Sequence, residues 1–417
     1  MIILALNCGS SSVKYQLYSW EERRVITKGM IERIGQEYPD HKTALEQIID
    51  KLTTGSSAVL KSLSEISAVG HRVVHGGEKF KSSVLIDAEV LEAIKSVKDL
   101  APLHNPPNIA GIEAAQQVMP NISHIAVFDT AFHQTMPEHS YLYAVPYEWY
   151  GMYGVRRYGF HGTSHLYVSR RAAVLLDKKP AEANLITMHI GNGVSIAAIE
   201  KGVSVDTSMG LTPLEGAVMG TRSGDIDPAI ILFMIEKEGF YVDEIGSILN
   251  KKSGLLGITG KYFDRRDIDR AAAEGDKRAQ LAIEIEAYRL RKYLGAYLAA
   301  LGHVDAIVFT AGAGERNWGL RERVLHEMGR FGIKIDHKRN EKARDGETES
   351  LISTDDSPVK IFVIPTDEEL VFIEDVVAIL QGRYDMHTKF KYSFEDPKYK
   401  KKGLGTRESG LRAGDEV

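Results

Sequence analysis

Cysteine is all but missing from this chain. Cys8 is the single one in 417 residues, so no intrachain disulfide and no cysteine-based zinc site can form, and a reducing compartment is expected. Long apolar runs are missing too. Nothing approaches the roughly 18 residues needed to span a bilayer, and no basic segment precedes the short apolar run at the N-terminus. Neither sign of charge dominates: 57 acidic against 52 basic residues exclude a general nucleic-acid binder, and any basic function must be a local site. No G-x-x-x-x-G-K-[ST] loop occurs, which removes the P-loop enzymes. These absences predict a cytoplasmic protein with no nucleic-acid or membrane partner. At 417 residues the chain exceeds one ordinary core, so two domains are expected.

What is present begins with an apolar strand, Met1 to Leu6, that runs into Asn7-Cys8-Gly9-Ser10-Ser11-Ser12-Val13-Lys14. Gly9 lets backbone approach an anion, Asn7 and the serines offer neutral hydrogen-bond groups, and Lys14 adds a point charge. Residues 15–20 alternate like a second strand, giving a strand-loop-strand phosphate turn. The pattern returns about 180 residues later: a strand over 184–190, Gly191-Asn192-Gly193, a strand over 194–199, a tight turn and a strand over 203–205. Strands at 2–7, 12–19 and 24–32 complete the first copy. Two such units suggest a duplicated domain whose hairpin loops face one cleft.

Helical periodicity is read at 42–53, 87–99, 108–118, 163–177 and, most strongly, as one run over 270–301. A buried strand over 305–310 enters the glycine-rich turn Ala311-Gly312-Ala313-Gly314-Glu315, which lacks the third glycine of a dinucleotide fingerprint and reads as a mononucleotide contact or a packing turn. A strand over 360–364 precedes Asp367-Glu368-Glu369 and an apolar helix to about 381. Residues 383–417 lack apolar periodicity and are expected to be a flexible or surface-draped tail.

Polar groups gather where apolar runs end, the usual place for ligands of open α/β sheets. They lie at 71–77, 103–108, 128–133, 156–165 and 220–228. Each has a plainer account. Thr163 or Ser164 could cap a helix, His161 and His165 could satisfy local hydrogen bonds, and Asp129 could be an N-cap. Arg222 could be a loop residue, and Asp367 to Glu369 could merely suit a helix dipole.

Taken together these motifs resemble the acetate kinase (acetokinase) family over nearly the whole chain to about residue 381. They are Asn7-x-Gly-Ser-Ser-Ser-x-Lys14, His71-Arg72-Val73-Val74-His75-Gly76-Gly77, Pro102 to Pro107, Phe128 to His133, Arg157 to His165 and Gly220 to Asp225. The resemblance implies an α/β fold of the duplicated RNase H-like, actin and sugar-kinase type. Its first domain would span 1–150, completed by the helix at about 370–381. The second would span 151–369 and carry a homodimer interface, with the nucleotide cleft between the two. It implies Mg²⁺-dependent (or Mn²⁺-dependent), reversible transfer of the γ-phosphoryl group of ATP to acetate.

By resemblance, Arg72 holds the acetate carboxylate, and Arg222 and His161 contact the phosphoryl group in flight. An arginine so placed contributes about 10³–10⁵ in rate in related transfers. The family's counterpart of Asp129 is a catalytic acid/base; for an already ionised carboxylate substrate, orienting Arg72 or the metal suits Asp129 better. Val74, Leu103, His104, Phe160 and Pro213 would surround the acetate. Asn7 and Glu368 would place the metal. Lys14, Ser10, Ser12 and the loop His189, Ile190, Gly191, Asn192 and Gly193 would face the phosphates, while Asp264, Arg265, Arg266 and Gly312, Ala313, Gly314, Glu315 and Arg316 would flank the nucleoside. Arg316 and Asp367 both stand where the family usually has Asn. A propionate or other short-chain acyl kinase is the near alternative, because one methylene changes binding by only about 1–3 kcal/mol. A nucleotide-binding, actin-like scaffold is the distant one.

Overall fold

The computed structural model describes residues 1–56, 58–102 and 104–400. Among them the strands form two six-stranded sheets of the same topology. The first orders β3 (Arg24–Glu32), β2 (Ser12–Ser19), β1 (Ile2–Cys8), β4 (Ile66–Val73), β6 (Ser123–Phe128) and β5 (Val84–Leu85). The second orders β9 (Val203–Thr207), β8 (Val194–Glu200), β7 (Leu185–Ile190), β10 (Ala306–Thr310), β12 (Lys360–Val363) and β11 (Ser350–Leu351). In each, an antiparallel meander is followed by two parallel strands and a short antiparallel edge. The central strands β7 and β10 are buried at every position, as expected of parallel strands covered on both faces.

Helices supply those covers. On the first sheet His41–Thr53 and Asn105–Val118 bring Ala44, Leu45, Ile48 and Ala115 against Leu4, Leu6 and Leu17. Opposite them, Glu368–Leu380 lays Phe372, Ile373, Val376 and Val377 on Ile3, Ala68 and Val127. The second sheet is covered by Gly162–Leu175 on one face and Lys277–Leu301 on the other. The first turn of Glu368–Leu380 differs from the rest of that helix: Leu370 and Val371 join the core of the second sheet. One helix therefore packs against both halves of the molecule.

Two expectations are corrected. The run over 270–301 is two helices, Arg265–Ala273 and Lys277–Leu301, parted at Glu274-Gly275-Asp276. Gly275 takes φ +98° and Asp276 caps the second helix by accepting from the backbone N–H groups of Arg278 and Ala279, a break that continuing alanine spacing conceals. The segment 383–400 is not a loose tail. Tyr392 and Phe394 are 1% and 0% exposed within the second core. Arg171 Nη1 donates to Phe394 O at 2.6 Å, and Tyr392 OH donates to Asp375 Oδ1 at 2.8 Å. Residues 401–417, the remainder of the expected tail, lie outside the described residues.

Candidate active site

The parallel pair β4 and β6 sets Arg72 opposite Val127, so Arg72 meets Asp129 just beyond the strand end. Arg72 donates through Nε to Asp129 Oδ1 at 3.0 Å and through Nη2 to Oδ2 at 2.7 Å, the two-pronged geometry that suits a planar guanidinium. Asp129 is buried, whereas a third of the Arg72 side chain stays exposed. The carboxylate beside it, with smaller help from Glu368, pushes the Arg72 pKa up. Nη1 of Arg72 has no partner among the described residues, so one edge of a fully charged fork remains free for a second carboxylate.

Arg222 approaches from the loop after β9. Its Nη1 donates to Pro213 O at 3.1 Å, and no acidic partner reaches it among the described residues. Burial lowers its pKa, and an uncompensated guanidinium of this kind attracts an anion. A Cβ built on Gly193 would stand 3.4 Å from His161 Nε2 and 3.6 Å from Arg222 Nη1. The second phosphate turn, His161 and Arg222 therefore converge at one place. His161 precedes the helix Gly162–Leu175 with φ +57° and stacks on His189 at 4.0 Å between ring centroids. Burial, then His189 and His165, holds His161 neutral, well below the ordinary imidazole range; His189 falls to about 3 for the same first reason.

The local accounts of these residues divide. Neither Thr163 nor Ser164 caps its helix: Thr163 Oγ1 donates to Glu368 Oε2 at 3.1 Å, and Ser164 Oγ lies 2.8 Å from His189 Nδ1. Asp367, by contrast, does cap, accepting from Leu370 N at 3.1 Å, which removes the force of its departure from Asn because the two cap alike. Glu368 is pushed up to about 7 by burial, against the pull of Arg72 and with a further push from Asp129. The Asn7 amide and the Glu368 carboxylate offer oxygen donors, the chemistry that fits Mg²⁺, which keeps most of its water. Among the described residues no three His, Cys, Asp or Glu side chains form a denser metal cage.

Of the residues expected to surround acetate, Phe160 is 2% exposed in the second core and Val74 packs against that core. Pro213 adjoins Arg222, and His104 has its pKa lowered by burial and then by Arg222 and Arg72. Leu103 lies outside the described residues. Lys14 and Ser10 are exposed at the first turn, Ser12 is half-buried, and Lys14 pairs across the hairpin with Asn7. In the second turn Gly191 N donates to Gly193 O, and Gly220 N donates to Asn192 O at 3.0 Å, fastening the turn to the Arg222 loop; Ile190 is core.

The residues expected at the nucleoside flank are partly engaged by the protein itself. Arg265 is not turned loose into the cleft: it pairs with buried Glu286 and donates to Gly191 O at 2.7 Å. Asp264 caps Arg265–Ala273 and holds the exposed Arg266. Ala311 to Arg316 form a helix rather than a free turn; Gly312 and Ala313 remain accessible, Gly314 is buried, and Glu315 Oε1 accepts from Thr366 N at 3.1 Å. Arg316 is exposed and packs over Gly346. A cavity of about 300 Å³ opens beside Arg265, walled by Leu255, Ile268, Ile283, Trp318 and Leu320. Its apolar wall, Glu286, Asn108 and Ser195 were not singled out by the sequence. Only Asn108, which donates to Cys8 O at 2.7 Å and accepts from Val74 N at 3.0 Å, lies in a motif already marked.

Fold and site together define a phosphotransferase of the two-domain actin and sugar-kinase architecture. The chain belongs to the acetokinase family, whose model matches residues 2–374. An acetate kinase of Geobacter metallireducens is 64% identical over 94% of this chain and 98% of its own. One of Treponema pallidum is 53% identical over 99% and 96%. The crystal structure of Porphyromonas gingivalis acetate kinase superposes with a TM-score of 0.87 at 46% identity, covering 91% of this chain and 99% of that one. A propionate kinase from Francisella tularensis gives 0.81 at 43%, covering 90% and 98%.

Proposed function

We propose that this chain transfers the γ-phosphoryl group of ATP to acetate, reversibly, by direct in-line attack. A carboxylate oxygen of acetate forms the new P–O bond as the bond from γ-phosphorus to the bridging oxygen breaks, and ADP leaves with that electron pair. The nucleophile is already ionised, so no proton need be removed. What the reaction needs is positive charge between two anions. The observation that carries the reading is Arg72, locked by Asp129 and, among the described residues, with an edge free, standing beside a neutral His161 and an Arg222 that has no acidic partner among those residues.

Arg72 binds the carboxylate, Val74, His104, Phe160 and Pro213 enclose the methyl group, and Arg222 and His161 contact the transferred group. Asp129 orients Arg72. Lys14, Ser10, Ser12 and His189 to Gly193 face the phosphates, while Asp264 to Arg266, Gly312 to Arg316 and the neighbouring cavity receive the nucleoside. Asn7 and Glu368 would hold Mg²⁺, which, when bound, offsets charge on the phosphate oxygens. Residues 1–150, completed by the helical stretch at about 370–381, form one domain and 151–369 the other, closing to keep water from the phosphoryl group. The helix Ala229–Glu238 exposes Leu232 at 71% and Phe233 at 56%, an apolar face suited to a second copy in a homodimer; Leu232→Glu should yield monomers in sedimentation. A cytoplasmic location accords with the single buried thiol, pushed up to about 12 by burial, and with the absence among the described residues of a helix long and apolar enough to cross a membrane.

Hydroxamate trapping of the acyl phosphate with acetate, propionate and butyrate tests the acid assignment. The highest kcat/KM is expected for acetate, and a clear preference for propionate would reassign the substrate.

A further inference from the structure

His161 serves a phosphoryl group only if its ring proton sits on Nε2, because a bare lone pair there would repel anionic oxygens. A neutral imidazole carries one proton on either nitrogen, and the hydrogen bond made by the other nitrogen selects which. Behind the ring lies a chain of three buried groups. Ser195 Oγ is 2.9 Å from His161 Nδ1 and 2.7 Å from His165 Nε2, and His165 Nδ1 is 2.7 Å from Thr187 Oγ1. Ser195, His165 and Thr187 are all 0% exposed. Thr187 lies on β7 and Ser195 on the paired strand β8, so two rigid strands fix the chain's length.

We propose that Thr187, His165 and Ser195 form a one-way hydrogen-bond chain that fixes His161 as the Nε2–H tautomer, which makes them positioning residues for phosphoryl transfer. The proposal rests on the assignment of His161 to the transferred group. Two proton orders satisfy the middle of the chain, and its ends choose between them. In one order Thr187 O–H donates to His165 Nδ1, His165 Nε2–H donates to Ser195 Oγ, and Ser195 O–H donates to His161 Nδ1. Every hydrogen then has an acceptor, and His161 Nε2–H faces the cleft. In the reverse order Thr187 becomes an acceptor and its own hydroxyl hydrogen has none, since His165 is its only side-chain partner among the described residues. Leaving a buried donor unsatisfied is costly. The reverse order would also turn the Nε2 lone pair toward the phosphoryl group. Burial keeps both His161 and His165 neutral, so each ring has one proton to place.

The test is long-range ¹H–¹⁵N NMR of the imidazole nitrogens in the full-length protein, joined to kinetics of Ser195→Ala and Thr187→Val. In the unsubstituted protein His161 should be protonated at Nε2 and not at Nδ1. Ser195→Ala should mix or reverse that tautomer and lower kcat about ten- to a hundredfold, as loss of a ring-orienting partner does elsewhere, with KM for acetate and ATP changed by less than about twofold. Thr187→Val, nearly isosteric and one residue further back, should shift the His165 nitrogens and lower kcat less. An Nδ1–H tautomer in the unsubstituted protein, or an unchanged tautomer in both variants, overturns the proposal whatever the kinetics. Full activity in His161→Ala would instead overturn the reading beneath it, while the NMR still reports the proton order.

Discussion

Asp129 accepts two parallel hydrogen bonds from Arg72, at 3.0 and 2.7 Å, and is itself almost wholly buried. A carboxylate so engaged has both oxygens committed to holding a cation in one orientation. Asp129→Asn keeps an acceptor and removes the charge, so KM for acetate should rise about ten- to a hundredfold, the worth of a charge-assisted hydrogen bond, with a smaller fall in kcat. An unchanged KM with kcat abolished would make Asp129 a proton-transfer group instead.

Glu368 carries a burial-raised pKa of about 7 beside Arg72 and Asp129. A bound divalent cation would favour its charged form. Glu368→Gln should therefore raise the Mg²⁺ concentration needed for half-maximal activity about tenfold or more, and chelation should abolish activity in both proteins. Unchanged Mg²⁺ dependence would remove Glu368 from the metal site.

Acid should weaken the fold. His71, His161 and His165 sit well below the ordinary imidazole range, and His75, His133, His189 and His387 fall to about 3, 4, 3 and 3, each chiefly through burial. Below about pH 6.5 the unfolded chain binds protons that these folded rings refuse. Each ring then removes up to about 1.4 kcal/mol of stability per pH unit until its folded pKa is reached. Asp375 and Glu368, both raised to about 7, act oppositely, because they gain stability as pH falls from 7 toward 4. The histidines outnumber them. Calorimetry from pH 7.5 to 5 should show Tm falling steadily; a flat or rising Tm would contradict the burial of these rings as neutral groups.

The segment 383–400 should be structural. Phe394→Ala removes a fully buried ring beside Tyr167 and Tyr392 and should cost about 3–5 kcal/mol, the usual range for such cavities. Urea unfolding would detect it, and truncation after Gln381 should weaken the protein further. An unchanged midpoint would return the segment to a surface drape.

Much of the sheet framework was legible because β1, β2, β7 and β8 carry plain alternation or continuous apolar character around their turns, and the repeated turn disclosed the duplication. The two sheets indeed share one strand order. What stayed hidden depended on distant partners. Tyr392 and Phe394 lie in a short 3₁₀ turn and extended chain, which have no helical or strand period to read. Arg265 was marked for the nucleoside, but nothing local announced that Glu286, on another helix, would pair with its guanidinium. Ser195 was an unremarked strand residue, since nothing local tells that His161 and His165 meet at its hydroxyl. Asp276 was a cap signal in plain view, lost inside continuing alanine spacing.

Arg222, a cation without an acidic partner among the described residues, should stabilise the phosphoryl group as it passes to acetate. Acetyl phosphate formation by purified Arg222→Ala, with ATP, Mg²⁺ and saturating acetate, tests it most directly. A loss of about 10³-fold or more in kcat is expected, with the thermal unfolding curve unchanged. Undiminished acetyl phosphate formation by that variant would contradict it.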